Sequence, residues 1–547
     1  MISIAQLDPT VGDIEGNVAK LKEALAAARE QDADLLIASE LVLAGYPPED
    51  LVLKPAFLDA CEAALRGLAA ETVMGDTALL LGAPWRVDGH VHNAALLLDR
   101  GEIRAVRLKH ELPNYGVFDE VRVFKPGPLP GPVAFRGVRL GVMVCEDMWF
   151  PDVAETLSET GAQLLIVLNG SPFESDKQDE RVGLAVTRVK ETGLALLYVN
   201  QVGGQDELVF DGASFALARD CALKLQAPSF AEAVVPTVWR LDDEDRWDIE
   251  SGAAVRPAEG LEAVWQAMVL GLRDYVRKNR FPGVVLGLSG GIDSAISAAV
   301  AADALGPDQV HCVMLPSRYT SAESLEDAAE TARLLGVELR DIGIEPAIAA
   351  FGEMLAPHFA GIGPDITEEN LQSRARGITL MALSNKFGWM VLSTGNKSEM
   401  SVGYATLYGD MCGGYAVLKD VYKTTAFELA RWRNANRPAD ALGPAGPVMP
   451  ERVITKPPTA ELKADQTDQD TLPPYPVLDA ILQGLIEGER TVDEIVAQGH
   501  DRATVTAVWR MLDRAEYKRR QAPPGVKLTR RAFGRDRRYP ITNGFRG

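Results

Sequence analysis

A strand, a glycine-rich turn and an alanine-rich helix follow one another in GVVLGLSGGIDSAISAAVAADAL, residues 283–305. In the turn, Gly290 and Gly291 let the backbone approach a ligand closely, and Ser289 and Ser294 offer hydroxyl groups. The amides at the start of the helix carry partial positive charge, which suits phosphate groups. No GK[ST] triplet follows the glycines, so this is not a Walker A loop. The segment therefore predicts a phosphate site at the carboxyl end of a strand in an α/β domain.

Strands and helices are predicted to alternate through most of the chain. Short β-branched runs alternate with helical stretches over residues 1–225, and the later runs VVLGLS, HCVMLPS, ELRDIGI and WMVLST do the same. The second set predicts a mostly parallel, doubly wound sheet with helices on both faces. The acidic segment LDDEDRWDIESG, residues 241–252, interrupts the pattern and is predicted to be the linker. We therefore expect one domain over residues 1–245 and a second over 246–547.

The last hundred residues have a different character. Residues 438–476 are rich in proline and include the acidic run ADQTDQD, which is typical of an extended surface connection. Several short helices are predicted from Val477 to Arg520. The segment TVDEIVAQGHDRATVTAVWRMLDRAEYKRR could be mistaken for a helix-turn-helix, but one basic helix is a weak indication in an acidic chain.

Composition excludes several classes of function. A net charge of −21 argues against broad nucleic-acid binding, and no segment is apolar enough to span a membrane. The N-terminus MISIAQLDPTVGD lacks the basic and apolar regions of a secretory signal. The five cysteines include no CxxC pair and the six histidines form no HxxxH or HExxH motif, so zinc or redox centres have little support. We expect a reduced, cytoplasmic protein of more than one domain.

Three reactive side chains are predicted at strand ends in the first half. Cys145 follows the apolar run VRLGVMV, Glu40 ends DLLIASE, and Lys109 ends IRAVRLK. Taken singly, a buried cysteine or a solvated charge is the commoner role for each. A nucleophilic thiolate, however, needs a base or a positive neighbour, which the other two residues could supply.

Together these residues resemble the Glu, Lys, Cys set of the nitrilase and amidase superfamily, with KxxLPNYGVFDE from Lys109 to Glu120 and VCEDMW around Cys145. The resemblance covers the first half and implies an αββα sandwich. It also implies that Glu40 takes the thiol proton, that Lys109 stabilises the oxyanion, and that Glu120 is a supporting carboxylate. Amide hydrolysis would then pass through a thioester on Cys145.

Two segments narrow this resemblance further. LPNYGVFDE and NGSPFESDKQDER are similar to the glutaminase domains of glutamine-dependent NAD synthetases. This similarity implies that Tyr115, Ser171 and Lys177 hold glutamine. From the residues alone, Ser171 could instead be a turn residue before Pro172 and Lys177 a solvated charge.

In the second half, SGGIDS resembles the pyrophosphate loop of N-type ATP pyrophosphatases, which cleave ATP between the α and β phosphates. The resemblance implies that a run of consecutive residues contacts ATP, with Asp293 as a ligand of Mg²⁺. This run comprises Gly287, Leu288, Ser289, Gly290, Gly291, Ile292, Asp293 and Ser294.

Further motifs resemble those of NAD synthetases: HCVMLPSRYTS, NLQSRARG, STGNKSEMSVGYATLYGD and YKRRQ. They imply ATP contacts from Arg318 and Thr394, and deamido-NAD contacts from Asn370, Glu399 and Lys518. Glu399 would also bind Mg²⁺. Asp410 and Lys423 would lie in a mobile phosphate loop, although Lys423 alone could be a solvated side chain.

The resemblance implies a two-step synthesis. The nicotinate carboxylate of deamido-NAD attacks the α phosphorus of Mg-ATP, pyrophosphate leaves, and ammonia from glutamine then displaces AMP. Because one chain would then make and consume the same small nucleophile, we expect ammonia channelling between the two sites. We also expect a homo-oligomer with paired synthetase domains. Three alternatives are a carbon–nitrogen hydrolase with a regulatory nucleotide-binding module, another adenylating enzyme that uses ammonia, and an ammonia-only NAD synthetase with an idle amidase half.

Overall fold

The computed structural model describes residues 1–244, 246–463 and 466–545. It divides into two compact units, Met1–Glu259 and a second that begins at Gly260. Within the described residues, every helix is too short or too polar to cross a lipid bilayer.

Among its described residues, the first unit contains fifteen strands and four α-helices. The strands are β1 (Ile2–Gln6), β2 (Leu35–Ala38), β3 (Ala78–Val87), β4 (His90–Asp99), β5 (Glu102–Leu108), β6 (Val133–Phe135), β7 (Val138–Val144), β8 (Leu164–Asn169), β9 (Leu196–Asn200), β10 (Val202–Gln205), β11 (Leu208–Asp211), β12 (Phe215–Leu217), β13 (Leu223–Gln226), β14 (Ala233–Leu241) and β15 (Trp247–Gly252). The helices are α1 (Ile14–Glu30), α2 (Pro55–Glu71), α3 (Pro151–Glu159) and α4 (Lys177–Thr192).

Two sheets of this unit face each other. Their strand orders are β15-β14-β1-β2-β3-β4-β5 and β13-β12-β9-β8-β7-β6. Alternate side chains of a strand point to opposite faces, so Ile4 of β1 and Val142 of β7 lie in one apolar layer between the sheets. Ala5 packs instead with α1 and α2, and Met143 packs with α3 and α4. The predicted αββα sandwich is confirmed.

The predicted linker at residues 241–252 differs from the structure. Residues 247–252 form β15, which pairs antiparallel with β14 at the edge of the first sheet. Trp247 and Ile249 pack in the apolar layer between the sheets. They alternate with acidic residues, and this alternation of apolar and polar side chains is typical of a strand, although the acids made the segment resemble a linker. Residues 246–259 therefore pack with the first unit, and Asp245 lies outside the described residues.

The second unit contains five strands and twelve α-helices among its described residues. They are α5 (Gly260–Lys278), β16 (Val284–Gly287), α6 (Ile292–Leu305), β17 (Val310–Met314), α7 (Ala322–Leu335), β18 (Glu338–Asp341), α8 (Glu345–Leu355), α9 (Ile366–Phe387), β19 (Met390–Ser393), α10 (Lys397–Val402), β20 (Tyr415–Ala416), α11 (Lys423–Ala435), α12 (Glu451–Thr455), α13 (Tyr475–Ile486), α14 (Val492–Ala497), α15 (Arg502–Arg514) and α16 (Glu516–Arg519).

The sheet of this unit has the order β18-β17-β16-β19-β20, and every pairing is parallel, as predicted. Val285 of β16 and Val391 of β19 pack with Ala375 of α9, while α6 also packs on β16 and β17. The short helices predicted after residue 477 are present as α13 to α16. They pack with α10 around a separate apolar cluster that includes Met400 and Leu482.

The segment 438–476 is more than the surface connection that its prolines predict. Val448 and Ile454 are buried, and residues 456–462 line a cavity described below. Proline favours extended backbone, but extended backbone can serve as a wall as well as a connection. The first two residues of ADQTDQD, Ala464 and Asp465, lie outside the described residues.

Candidate active sites

The first site is built around Cys145, which directly follows β7 and begins the 3-10 helix Cys145–Met148. Its φ is 47°, in the left-handed region that side chains other than glycine rarely adopt. Backbone strain of this kind costs about 1–3 kcal/mol and is often found at functional residues. The sharp turn carries a buried thiol at the carboxyl end of a strand, where the sequence predicts a nucleophile.

A buried lysine joins two carboxylates in this site. Lys109 Nζ lies 2.6 Å from Glu40 Oε1 and 2.8 Å from Glu120 Oε1, and the side chains of Lys109 and Glu40 are 0% exposed. Lys109 follows β5, Glu40 lies two residues beyond β2, and Glu120 begins a short 3-10 helix. The structure therefore brings the predicted lysine and both predicted carboxylates together.

The charges of these groups act on the thiol. Burial raises the pKa of Cys145 well above its ordinary value, and the Glu40 carboxylate raises it further, while Lys109 lowers it. Burial lowers the pKa of Lys109, but Glu120 and Glu40 outweigh this and hold it well above the ordinary value. Burial also raises the pKa of Glu120 to about 7, against the lowering effect of Lys109. Lys109 thus remains charged, and the resting cysteine is a thiol.

Two residues that the sequence did not predict complete this polar network. Asn93 on β4 donates from Nδ2 to Glu40 Oε1 at 2.7 Å and to Glu120 Oε2 at 3.3 Å. The Tyr46 hydroxyl donates to Glu120 Oε1 at 2.9 Å. Asn93 lies within strand β4 and Tyr46 lies in a loop. Neither belongs to a sequence motif that would have predicted its place in this network.

A third such residue, Asp147, joins the cysteine turn to the lysine loop. Its Oδ1 accepts from the backbone amides of His110 at 3.0 Å and Glu111 at 2.8 Å, and its Oδ2 accepts from Val144 at 3.0 Å. The Arg107 guanidinium lies 3.5 Å from Oδ2. One buried carboxylate therefore holds the segments on either side of the reacting groups. Its place in VCEDMW was the only available signal.

Two of the predicted glutamine-binding residues, Tyr115 and Lys177, act on Glu146. The Tyr115 hydroxyl donates to Glu146 Oε1 at 3.0 Å, and the Lys177 charge acts on the same carboxylate. Lys177 Nζ also lies 4.6 Å from the centre of the Trp149 ring. Burial raises the pKa of Glu146, although Lys109 lowers it. This arrangement places a positive side chain, Lys177, and a negative one, Glu146, beside the turn that begins at Cys145.

Ser171 is held by hydrogen bonds to two side chains. Its Oγ accepts from Arg181 Nε at 3.1 Å, and its amide donates to Asn200 Oδ1 at 2.9 Å. The preceding amide, that of Gly170, donates to Glu40 Oε2 at 2.8 Å. Ser171 therefore lies next to the residue that binds Glu40 rather than in an exposed turn.

The second site is a cavity of about 290 Å³ in the second unit. Its lining includes all eight residues of the predicted phosphate loop, 287–294, and also Thr394, Glu399, Asp410 and Lys423. Gly290 has a φ of +79°, and a Cβ there would lie 2.2 Å from the backbone oxygen of Ser324. Only glycine fits this close approach of the turn to the backbone of α7.

A lysine also joins two carboxylates here. Lys423 Nζ pairs with Asp293 Oδ2 and lies 3.1 Å from Glu399 Oε1. Burial raises the pKa of Glu399 to about 7, against the lowering effect of Lys423. Asn396, which the sequence did not predict, donates to Asp293 Oδ1 at 3.1 Å and accepts from the Glu399 amide at 3.0 Å. Its position at the start of α10 is the signal that could have found it.

Lys423 does not lie in the predicted mobile loop. It is the first residue of α11 and is buried, because Asp293 and Glu399 provide the partners that a buried ammonium needs. Asp410 does lie in the loop 403–414, where its Oδ1 accepts from the Thr406 amide at 2.6 Å. The two supporting residues thus reach the cavity from different elements.

Three predicted binding residues do not line this cavity. Arg318 is exposed and pairs with Glu345. Asn370 on α9 accepts from the Thr406 hydroxyl at 2.9 Å, and Lys518 on α16 donates to the Gly403 oxygen at 2.7 Å. Asn370 and Lys518 therefore both hold the segment 403–406, next to the helix that carries Glu399.

The described residues offer few grouped ligands for a metal ion. Among the described residues, no group of three or more histidine, cysteine, aspartate or glutamate side chains is arranged to hold a metal ion. The pair Asp293 and Glu399 already flanks one cation, the Lys423 ammonium.

Known proteins are similar over the full length. The carbon-nitrogen hydrolase family model matches residues 1–245, and the NAD synthase family model matches residues 264–522. Glutamine-dependent NAD(+) synthetases of Rhodobacter capsulatus and Xanthomonas campestris pv. campestris are 53% and 49% identical, each over 100% of this chain and 98% of the relative.

A solved structure gives the same result. The glutamine-dependent NAD+ synthetase of Acinetobacter baumannii, in complex with adenosine diphosphate, is 44% identical with a TM-score of 0.78. The match covers 99% of this chain and 98% of that chain. The full-length identity and the two matched family models lead to one conclusion: this chain belongs to the glutamine-dependent NAD(+) synthetases.

Proposed function

We propose that this chain converts deamido-NAD to NAD, using ATP and the ammonia released from L-glutamine, and that AMP, pyrophosphate and glutamate are the other products. The observation that carries the proposal is the presence in one chain of a buried Cys145, Lys109 and Glu40 cluster and a glycine-rich phosphate cavity. Residues 1–245 would supply the ammonia and residues 246–547 would use it.

In the glutaminase reaction, Glu40 takes the proton of the Cys145 thiol as the sulfur attacks the amide carbon of glutamine. The raised pKa of the thiol favours this order, because a proton is still present to be transferred. Lys109, whose pKa is held high, stabilises the oxyanion without giving up its own proton. Ammonia leaves, and water then releases glutamate from the thioester.

Glutamine recognition is proposed for Tyr115, Ser171 and Lys177. The substrate carries an α-carboxylate and an α-ammonium group, so it needs donors and an acceptor at the same end of the pocket. Lys177 supplies a cation, and Glu146, held by Tyr115, supplies an anion close to it. Both charges lie on or near the turn that carries the nucleophile.

In the synthetase reaction, residues 287–294 and Thr394 would bind ATP, and Lys423 would neutralise phosphate charge. Asp293 and Glu399 are proposed to hold Mg²⁺, which commonly binds one or two carboxylates together with phosphate oxygens. Two carboxylates that flank a single cation fit this donor set. Bound Mg²⁺ would withdraw charge from the phosphates. Glu399, Asn370 and Lys518 would bind deamido-NAD. Asn370 and Lys518 would do so from the positions in which they support the segment 403–406. Arg318 would bind ATP only after leaving its ion pair with Glu345.

A homo-oligomer with paired synthetase domains is also proposed. No residue of α8 is buried, and α9 exposes Ile366, Ile378, Met381 and Phe387. Exposed apolar side chains grouped on a helix are commonly covered by a partner. Light scattering should therefore give at least a dimer, and an Ile378→Glu, Met381→Glu variant should shift the protein to monomer. Use of ATP in metabolism favours a cytoplasmic location.

The test is an assay with deamido-NAD, Mg-ATP and glutamine, in which NAD, AMP and glutamate are measured while each reactant is omitted in turn. Cys145→Ala should abolish the glutamine-driven reaction and retain the ammonia-driven one. Asp293→Ala should abolish both. Glutamine hydrolysis without AMP would instead favour a hydrolase with a regulatory nucleotide module, and glutamine use at the parental rate by Cys145→Ala would refute the nucleophile.

A further inference from the structure

A carboxylate of the chain itself fills part of the wall of the ATP cavity. Glu461 Oε1 accepts from the hydroxyls of Ser321 and Ser324, each at 2.7 Å. Lys456 Nζ donates to the Ser324 hydroxyl at 2.6 Å. Ser324, Lys456 and Glu461 all line the cavity. Two hydroxyl donors thus converge on one carboxylate, and an ammonium group donates to one of those two hydroxyls.

This cluster lies directly against the phosphate loop. The backbone oxygen of Ser324 packs so closely on Gly290 that a Cβ there would lie 2.2 Å from it. A phosphate group seated on the Gly290 and Gly291 turn would lie in the cavity that Ser324 and Lys456 also line. Hydroxyl donors and an ammonium are the groups that bind phosphate oxygens in proteins.

Lys456 is kept at this position by a second carboxylate. Its Nζ lies 3.9 Å from Asp327 Oδ2, a buried oxygen with no hydrogen-bond partner among the described residues. The other oxygen, Oδ1, accepts from Arg452 Nε at 2.7 Å. This opposite charge favours the position of Lys456 beside the cavity.

Glu461 holds its place with a strained backbone. Its φ is 47°, in the left-handed region, which is strained for a residue with a side chain. Its carboxylate also faces a cavity that already contains Asp293, Glu399 and Asp410. Both features make this carboxylate easier to displace by a ligand of greater negative charge.

We propose that Ser321, Ser324 and Lys456 form an anion subsite for the phosphate tail of ATP, and that Glu461 occupies the subsite until the nucleotide displaces it. This inference rests on the proposed function of the cavity as the ATP site. A triphosphate carries more charge than one carboxylate, so it takes over the donors, and residues 459–462 move away from Ser321. Pyrophosphate binds the same donors after adenylation, and the return of Glu461 promotes its release.

The test compares the binding of Mg-ATP and of Mg-pyrophosphate to the full-length protein by isothermal titration calorimetry. Glu461→Gln removes the competing charge with little change of shape, so the Kd of both ligands should fall at least threefold. Lys456→Met should raise both Kd values about tenfold or more, and Lys456→Arg should restore most of the loss. Glu451→Gln and Lys386→Met, which change exposed residues away from the cavity, are the matched controls and should bind like the parent.

The inference is overturned if Glu461→Gln binds pyrophosphate no more tightly than the parent, or if Lys456→Met binds it equally well. Unchanged thermal midpoints in the variants show that they are folded. If Lys456→Met is not folded, Lys456→Arg is used in its place. Failure of the parent itself to bind ATP or to form AMP would refute the proposed function instead, so the two failures are distinguishable.

Discussion

At the scale of single residues, the first site shows how burial tunes charge. Lys109 is enclosed between two carboxylates, and one of them, Glu120, has its pKa raised to about 7 because it is buried. A group with a raised pKa in the folded state binds a proton that the unfolded chain has already released. Its contribution to stability is complete below the ordinary pKa of 4.5 and is lost as the pH rises through about 7.

Glu120→Gln should therefore change how stability depends on pH. The parent should lose thermal stability relative to the variant between pH 5 and pH 8, by about 2–8 °C in the transition of the first unit, because only the parent must ionise this carboxylate. Differential scanning calorimetry at several pH values measures the difference, in which the other titrating groups cancel. A difference that stays constant over this range would contradict the role of Glu120.

Asp147 offers a second test at this scale. Asparagine in its place can accept with only one of its two side-chain atoms, so either the His110 and Glu111 amides or the Val144 amide loses its acceptor. A small shift between Cys145 and Lys109 is costly in catalysis, and we expect Asp147→Asn to lower the glutamine-driven kcat about 10–100-fold.

The ammonia-driven rate of the same variant should stay at the parental value, because it requires only the second unit. Asp152→Asn, an exposed position at the start of α3, is the matched control. Parental glutamine-driven activity in Asp147→Asn, or an equal fall of both rates, would show that Asp147 does not position these groups.

The sequence predicted residues of distinctive chemistry better than the residues that support them. Cys145, Lys109 and Glu40 follow apolar strands and match a known motif, so their meeting was foreseeable. Asn93 and Tyr46 reach the same cluster only because β4 and the loop after β2 fold beside it. Such contacts join positions far apart in the chain, and no local pattern records them.

At the scale of elements, one buried ion pair joins three helices of the second unit. Arg433 of α11 donates to both oxygens of Asp303 on α6, at 2.7 and 2.9 Å. Trp265 Nε1 of α5 donates to Asp303 Oδ2 at 2.9 Å. Because α6 also begins at the phosphate loop, this contact fixes the helix whose N-terminus faces the ATP cavity.

Arg433→Ala should therefore destabilise the second unit by about 3–5 kcal/mol, since the buried Asp303 carboxylate loses its charge partner. The measurement is the thermal transition of that unit, and the Mg-ATP Kd should rise with it. Arg431→Ala changes an exposed arginine two residues away on α11 and should leave both unchanged. Equal midpoints for the two variants would refute this role.

Element boundaries show where pattern reading fails. Three strands of the parallel sheet, β16, β17 and β19, were predicted because they are largely apolar runs, which fits strands covered on both faces. β15 was missed because its apolar residues, Trp247 and Ile249, alternate with acids at the edge of a sheet. Charge at alternate positions indicates an edge strand as readily as a linker, and only the pairing with β14 distinguishes them.

At the scale of the whole molecule, the chain combines two units that make and consume the same small nucleophile. The fold of each unit was predictable because each is built from repeated strand and helix patterns with its own reactive motif. The path taken by ammonia was not, because no residue pattern specifies a route. Ammonia is mostly protonated in water at neutral pH and cannot then attack, and the acyl adenylate would meanwhile face abundant water.

We therefore expect ammonia to reach the synthetase site without mixing with the solvent. The measurement supplies nitrogen-15 glutamine with excess nitrogen-14 ammonium at a pH where free ammonia is scarce, and determines the label in NAD by mass spectrometry. Channelling predicts a label well above the bulk ratio. Cys145→Ala provides the control, because its NAD should contain only bulk nitrogen. A label in the parent that simply follows the mixed pool would mean that the units share a chain but exchange ammonia through the solvent.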